Sequence, residues 1–180
     1  MTRKNTFLGA ALCVMAFALP AQASAADSGG IGEHQAAETT TTPGAKAKLV
    51  DGAAVAPASA PARIKRAIAA ANRIIDKPYC YGGGHGQWES RCYDCSGTVS
   101  YALGKRGARV LEAPLPSGSF TGWEKGGRGR WITVYANSGH MYAVVAGLRL
   151  DTSMTPGNGP GWSKTQLHQS GYAVRHPRGL

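Results

Sequence analysis

The chain has 180 residues, 43% of them hydrophobic, and a formal net charge of +10 at pH 7. A balance this basic favours polyanionic partners, but the basic residues are scattered and form no recognised nucleic-acid motif, so we expect no nucleic acid partner. Residues 61–180 contain 16 Lys and Arg against 6 Asp and Glu, which assigns the excess charge to that part of the chain.

The first 25 residues have the pattern of a secretory signal peptide. Arg3 and Lys4 precede an apolar run over 7–19, and small residues follow, with cleavage expected after Ala23 or Ala25. Thirteen apolar residues are too few to span a bilayer comfortably, so we expect no integral membrane segment in the mature protein. The predicted location is outside the cell or in the cell envelope.

Residues 26–60 are rich in Ala, Thr, Gly and Pro and poor in large apolar side chains. Such a segment buries too little apolar surface to offset the entropy of ordering it. The sequence therefore predicts a disordered linker over 26–60 and one small domain over 61–180.

The domain is expected to be α+β, with N-terminal helices packed on an antiparallel sheet. Apolar residues at helical spacing predict a helix over 62–75, and a second helix is expected from Cys95 to about Gly104. Residues 111–129 are rich in Pro, Gly and Ser and are predicted to be loops. The predicted strands are 131–135, 140–146, 148–152 and 172–175; the short turn at Gly147 makes the second and third antiparallel neighbours.

A cysteine and a distant histidine form the candidate catalytic pair. Asp94 is a plausible N-cap, which puts Cys95 in the first helical turn, where the helix dipole favours a nucleophilic thiolate. His140 opens the second predicted strand and Asp151 closes the third, so a hairpin brings their side chains together. Cys95 is then the nucleophile, His140 the base and Asp151 the group that orients the imidazole.

With these residues in that order, the chain resembles the NlpC-type peptidases, papain-like cysteine peptidases of bacterial cell walls. The resemblance covers roughly residues 62–176, and three segments carry it: Lys77-Pro78-Tyr79-Cys80-Tyr81-Gly82-Gly83, Asp94-Cys95-Ser96-Gly97 and Gly139-His140. It implies a papain-like fold and hydrolysis of peptide bonds in peptidoglycan stem peptides without a metal or organic cofactor.

The resemblance also assigns roles to single residues. Cys95 matches the nucleophile and His140 the base; Tyr79 matches a tyrosine that lines the site. Asp94 and Ser96 match positions that contact the amino end of the substrate in some members. The third catalytic position in the family is usually His, Asn or Gln, so Asp151 is a placement made from this chain alone.

Three cysteines remain after removal of the signal peptide, and an oxidising compartment leaves one of them unpaired. Cys95 has a chemical reason to stay reduced. We therefore expect a disulfide between Cys80 and Cys92 that closes the glycine loop.

Other interpretations use the same residues. Cys92 and Cys95 form a C-x-x-C pair of the kind found in thiol–disulfide oxidoreductases, although no strand precedes it in a βαβ pattern. Another interpretation is a zinc site with three cysteines and one histidine, namely Cys80, His85, Cys92 and Cys95, although the spacing of these residues is irregular.

A third alternative changes the function and keeps the fold. The domain would then be a catalytically weak or inactive module that binds the cell wall, with anionic wall polymers as partners beside the stem peptides. A toxin aimed at neighbouring bacteria would have the same sequence features.

Overall fold

The computed structural model describes residues 41–42, 45–153 and 159–180, which lie within one compact unit, Ala37–Leu180. The predicted signal peptide and residues 26–40 and 43–44 of the predicted linker lie outside the described residues. Within the part of the chain that is described, no helix has the length and hydropathy to span a membrane.

Three helices and nine strands follow one another along the described chain. In order they are β1 (Thr41–Thr42), β2 (Lys48–Val50), β3 (Ala53–Pro57), α1 (Ala62–Asn72), α2 (Cys95–Leu103), α3 (Ser117–Phe120), β4 (Lys125–Gly126), β5 (Ile132–Ala136), β6 (Met141–Val145), β7 (Leu148–Asp151), β8 (Gly161–Ser163) and β9 (Ala173–His176).

The main sheet has six strands in the order β4-β9-β5-β6-β7-β8, and all its neighbouring strands are antiparallel. The predicted hairpin of β6 and β7 is confirmed, with Val145 opposite Leu148. Its two loop residues, Ala146 and Gly147, have φ angles of 47° and 88°. Positive φ at both positions is the geometry of a tight turn whose twist matches the flanking strands.

The helices α1 and α2 pack against each other, and α2 lies on β6 and β7. Every residue of α2 after Cys95 is buried, so this helix is a central element of the core. On the sheet side, Met141, Val145 and Leu150 are fully or almost fully buried. The predicted α+β arrangement of helices on an antiparallel sheet is confirmed.

The predicted disorder of the linker is wrong for residues 45–60. Strands β2 and β3 pair as an antiparallel hairpin there, and Ala54 and Ala56 are buried. A side chain outside the segment binds the hairpin: Asn72 accepts a hydrogen bond from the Ala54 backbone N–H (3.1 Å) and donates one to its carbonyl (2.8 Å). Small alanines allow the hairpin to approach α1 closely, which a composition-based estimate does not detect.

The predicted loop segment 111–129 contains two short elements, α3 and β4. Phe120, the last residue of α3, is fully buried and packs edge-to-face on Trp123, with ring centroids 5.3 Å apart. One apolar anchor in a segment of Pro, Gly and Ser is too weak a sequence signal to predict a single helical turn.

Candidate active site

The start of α2 presents Cys95. Asp94 is the N-cap, and its Oδ1 accepts a hydrogen bond from the Gly97 backbone N–H at 2.7 Å, which confirms the predicted cap. Cys95 is the first residue of the helix and is partly exposed. Its own backbone N–H belongs to the first turn, whose N–H groups have no acceptor inside the helix, and the helix dipole adds positive potential there.

The glycine loop lies directly against this helix start. The Asp94 backbone N–H donates to the Gly83 carbonyl at 3.1 Å, and the Gly82 N–H donates to Asp94 Oδ2 at 3.0 Å. A side chain at position 97 would collide with the Gly83 carbonyl. The glycine that closes the Asp-Cys-Ser-Gly motif is therefore needed because another backbone crosses it.

A disulfide between Cys80 and Cys92 closes the same loop, and Cys95 is the free cysteine of the described residues. This is the pairing that the sequence analysis favours. A bonded Cys80 and Cys92 cannot supply thiolates to zinc, and Cys92 has a partner other than Cys95. The disulfide thus argues against both the zinc and the C-x-x-C interpretations.

His140 stands at the end of a tight connection between β5 and β6. Asn137 Oδ1 accepts hydrogen bonds from the backbone N–H groups of Gly139 (2.9 Å) and His140 (2.8 Å). The Asn137 N–H in turn donates to the His140 carbonyl at 2.9 Å. The sequence analysis did not identify Asn137, although an asparagine three residues before the histidine is a common turn-forming signal.

Asp151 lies behind His140, at the end of β7. His140 Nε2 is 3.1 Å from Asp151 Oδ1, and the Asp151 side chain is fully buried. The Thr152 N–H (2.7 Å) and the Ser153 hydroxyl (2.7 Å) also donate to the carboxylate. Burial alone would raise the pKa of Asp151, but the hydrogen bonds from His140 and Ser153 outweigh it and lower that pKa.

The imidazole of His140 is held between this carboxylate and the Cys95 thiol. Hydrogen bonds with Asp151 first, and then with Cys95, raise the pKa of His140 from 6.5 to about 10, against the opposing effect of burial. Since Nε2 contacts Asp151, Nδ1 is the ring nitrogen that remains for Cys95. At neutral pH the ring is therefore a cation that faces the Asp151 carboxylate and the Cys95 sulfur.

Cys95 opens into a cleft of about 420 Å³. Of the predicted site residues, Tyr79, Asp94 and Ser96 line it with Cys95. Burial, followed by the charges of Cys95 and Asp94, raises the pKa of Tyr79. Tyr81 stands at the rim with 95% of its surface exposed.

Tyr172 is a further neighbour of the site that the sequence analysis missed. Burial, and then the charges of Asp151 and Cys95, raise its pKa, while a hydrogen bond with the Asn137 side chain lowers it. Its ring meets that of Tyr142 edge-to-face, with centroids 5.4 Å apart. Since Tyr172 comes from a segment far along the chain, no local pattern connects it to Cys95.

The carboxylate of Asp94 has several donors from the protein itself. Besides the Gly82 and Gly97 N–H groups, the Ser96 hydroxyl lies 3.1 Å from Oδ1 and His85 Nε2 lies 3.0 Å from it. His85 Nε2 is also 3.0 Å from the Ser96 hydroxyl. His85, which the sequence suggested only as a member of a zinc site, is thus part of the cleft wall.

Comparison with known proteins gives distant structural matches. Neither a protein-family model nor a curated protein matches the chain. One solved structure, of Rv1477, a hypothetical invasion protein of Mycobacterium tuberculosis, is 22% identical with a TM-score of 0.46, and the match covers 63% of this chain and 61% of that chain.

A second solved structure is that of the Resuscitation Promoting Factor Interacting protein RipA, mutated at a histidine. It is 21% identical with a TM-score of 0.46, and the match covers 63% of this chain and 62% of that chain. The chain therefore spans less than two thirds of either structure. Because both TM-scores lie below 0.5, neither likeness carries weight for family or activity, which depend on the residues of the chain itself.

Proposed function

We propose that this protein is an exported cysteine peptidase of the NlpC type that hydrolyses peptide bonds in peptidoglycan stem peptides. One observation carries the proposal: a free cysteine at a helix start lies near enough to an imidazole to raise the pKa of that ring, and a buried carboxylate lies 3.1 Å from one of the ring nitrogens. A nucleophile, a base and an orienting group connected in this way are the requirements of covalent peptide hydrolysis.

In the first half of the reaction, the Cys95 thiolate attacks the carbonyl carbon of the scissile bond. The negative charge that develops on the oxygen is stabilised by the Cys95 backbone N–H, the first of the helix. The Tyr79 hydroxyl lines the same cleft and is a second candidate donor. The His140 imidazolium then gives its proton to the leaving amine, and a thioester with Cys95 remains.

In the second half, a water molecule attacks the thioester. Neutral His140 takes a proton from that water, the carboxylic acid product leaves, and the thiolate–imidazolium pair forms again. Asp151 keeps Nδ1 directed at the sulfur through both halves because its contact fixes the other ring nitrogen. No step needs a metal or an organic cofactor.

The choice of substrate rests on the resemblance and on the shape of the site. The motifs around Tyr79, Cys95 and His140 are those of peptidases that act on wall peptides, and the predicted signal peptide provides export. The cleft is open and has an exposed aromatic residue, Tyr81, at its rim. These features suit a short extended peptide.

The test uses purified peptidoglycan and the full mature protein. We expect the wild type to release stem-peptide fragments that mass spectrometry identifies, and Cys95→Ala to reduce release at least a thousandfold while the circular dichroism spectrum is unchanged. His140→Gln is expected to have a similar effect.

A matched control is Ser119→Ala, a substitution at an exposed residue outside the cleft, which should cleave like the wild type. Cleavage retained by Cys95→Ala would refute the assignment. A wild-type protein that sediments with cell walls, releases no fragment and has an inert thiol would favour the binding module instead.

A further inference from the structure

A second and larger depression lies away from Cys95. It is a groove of about 1080 Å³ between the C-terminal end of α1, the loop before α2 and the residues that follow α2. None of its lining residues lines the Cys95 cleft. The groove and the catalytic cleft are therefore separate surfaces.

The groove is strongly positive. It is lined by six exposed cations, namely Arg73, Lys77, Arg91, Lys105, Arg106 and Arg109, and by one carboxylate. That carboxylate, Glu89, pairs with Arg106 at 2.8 Å and accepts a hydrogen bond from the Tyr101 hydroxyl. One bound carboxylate leaves most of the positive charge uncompensated.

Internal structure accounts for two of the six cations. Arg73 donates to the Arg106 carbonyl at 3.2 Å and lies over the Tyr101 ring, 5.8 Å from its centroid. The other four cations, Lys77, Arg91, Lys105 and Arg109, make no side-chain hydrogen bond or ion pair with any described residue. A helix C-terminus favours a nearby cation, which explains Lys105 after α2 but not Arg91 in the loop.

Arg109 adds an independent observation. Its φ is 58°, in the left-handed region that costs a residue with a side chain roughly 1 kcal/mol or more. Glycine would avoid that cost, yet the chain has an exposed arginine directed into the groove. The position has a cation where backbone stability alone favours glycine.

We propose that this groove binds an anionic wall polymer with repeating phosphodiester groups and so holds the enzyme on its substrate layer. Four uncompensated cations on three chain segments provide contacts for successive phosphates. That the groove binds an anion does not depend on the chemistry of Cys95. The identification of this anion as a wall polymer rests on the proposed function.

The groove is less suited to nucleic acid. Proteins that bind single strands without sequence preference stack bases on exposed aromatic side chains. The two tyrosines of this groove, Tyr93 and Tyr101, are 1% and 2% exposed and pack edge-to-face on each other with centroids 5.5 Å apart. They offer no free ring face on which a base could stack, so the groove is left with contacts between its cations and phosphate groups.

The experiment measures binding of fluorescently labelled poly(glycerol phosphate) by anisotropy at several salt concentrations. The groove variant combines Lys77→Gln, Arg91→Gln, Lys105→Gln and Arg109→Gly, and the last change also removes the left-handed strain. The control variant removes the same charge from four exposed cations elsewhere, by Arg63→Gln, Lys125→Gln, Lys164→Gln and Arg178→Gln.

We expect the groove variant to bind the polymer at least tenfold more weakly than the wild type. The slope of log binding constant against log salt concentration should become shallower by about 0.7 for each lost phosphate contact. The affinity of the control variant should change less than threefold. Lys105→Glu alone is a second variant in case the fourfold change lowers stability, and it should weaken binding more than Arg63→Glu. The Cys95→Ala protein should bind the polymer like the wild type, which separates this proposal from the proposed function.

Two results would overturn the proposal. Equal losses in the groove and control variants would mean that binding follows net charge alone. Tighter binding of a single-stranded DNA with the same number of phosphates would assign the groove to nucleic acid instead.

Discussion

At the scale of single residues, the charge state of His140 depends on Asp151. The carboxylate is buried, and its pKa is lowered, so it stays ionised and keeps the proton on the imidazole. The pKa of His140 rises to about 10, and the largest contribution is the hydrogen bond that the imidazole donates to Asp151. Removing that negative charge should therefore release the proton at a lower pH.

Asp151→Asn is the substitution that tests this dependence. We expect the pKa of His140, followed by NMR of the ring protons, to fall from about 10 towards its ordinary value of 6.5. Peptide hydrolysis should fall by about a hundredfold or more, because the imidazole loses both its orientation and its stabilised charge. An unchanged His140 titration in Asp151→Asn would mean that Cys95, and not Asp151, controls the imidazole.

The sequence indicates which of the proposed catalytic side chains lie near one another better than it indicates their neighbours. Each of Cys95, His140 and Asp151 lies at the start or end of a regular element, where spacing predicts which side chains meet. Asn137 and Tyr172 act through contacts between segments 34 residues or more apart, or through a turn whose geometry depends on its neighbours. The long-range contacts exist only after the sheet has formed, so no local pattern reveals Tyr172. The turn made by Asn137 does have a local signal, the asparagine three residues before the histidine.

At the scale of elements, the contact between the glycine loop and the start of α2 sets the position of Cys95. Gly97→Ala should push the helix start away from the Gly83 carbonyl. Overpacking of this kind lowers the free energy of unfolding by about 1–3 kcal/mol, and urea denaturation measures it. The shift should also reduce the rate of Cys95 alkylation.

The matched control for that prediction is Gly86→Ala in the same loop. An added Cβ at Gly86 meets no atom within 4 Å, so the free energy of unfolding should change by less than about 0.5 kcal/mol. Equal effects at the two glycines would show that helix propensity or loop entropy, and not the close approach, determines the cost.

The hairpin of β2 and β3 is an ordered element that composition does not predict. Residues 45–60 contain few large apolar side chains, yet Ala54 and Ala56 are buried against the rest of the fold. Asn72 binds the hairpin through two hydrogen bonds with Ala54, and its Oδ1 also accepts a hydrogen bond from Trp162 Nε1 at 2.8 Å. One side chain thus links α1, β3 and β8, and neither hydrophobic periodicity nor composition encodes such a link.

At the scale of the whole molecule, the contact between His140 and Asp151 makes stability depend on pH in two directions. The pKa of His140 is 6.5 in the unfolded chain and about 10 in the folded one. Its contribution is therefore complete below pH 6.5 and is lost as pH rises towards 10. The pKa of Asp151 is lowered from 3.8, so its contribution is complete above pH 3.8 and is lost in acid. The pair stabilises the fold fully only between these two values.

Thermal unfolding between pH 6.5 and 9.5 tests the alkaline side of that dependence. The wild-type melting temperature should fall steadily over this range. In His140→Gln it should fall less, because the variant lacks the imidazole that binds an extra proton in the folded state. The range stops below pH 10 because the pKa of buried Tyr142 is raised from 10.0 to about 12, which adds a separate loss of stability in stronger alkali.

His168→Gln, at an exposed histidine, is the control, and its melting temperature should fall with pH as steeply as that of the wild type. Equal slopes for His140→Gln and the wild type would mean that His140 holds no extra proton in the folded state, and the charged pair on which the proposed chemistry depends would be absent.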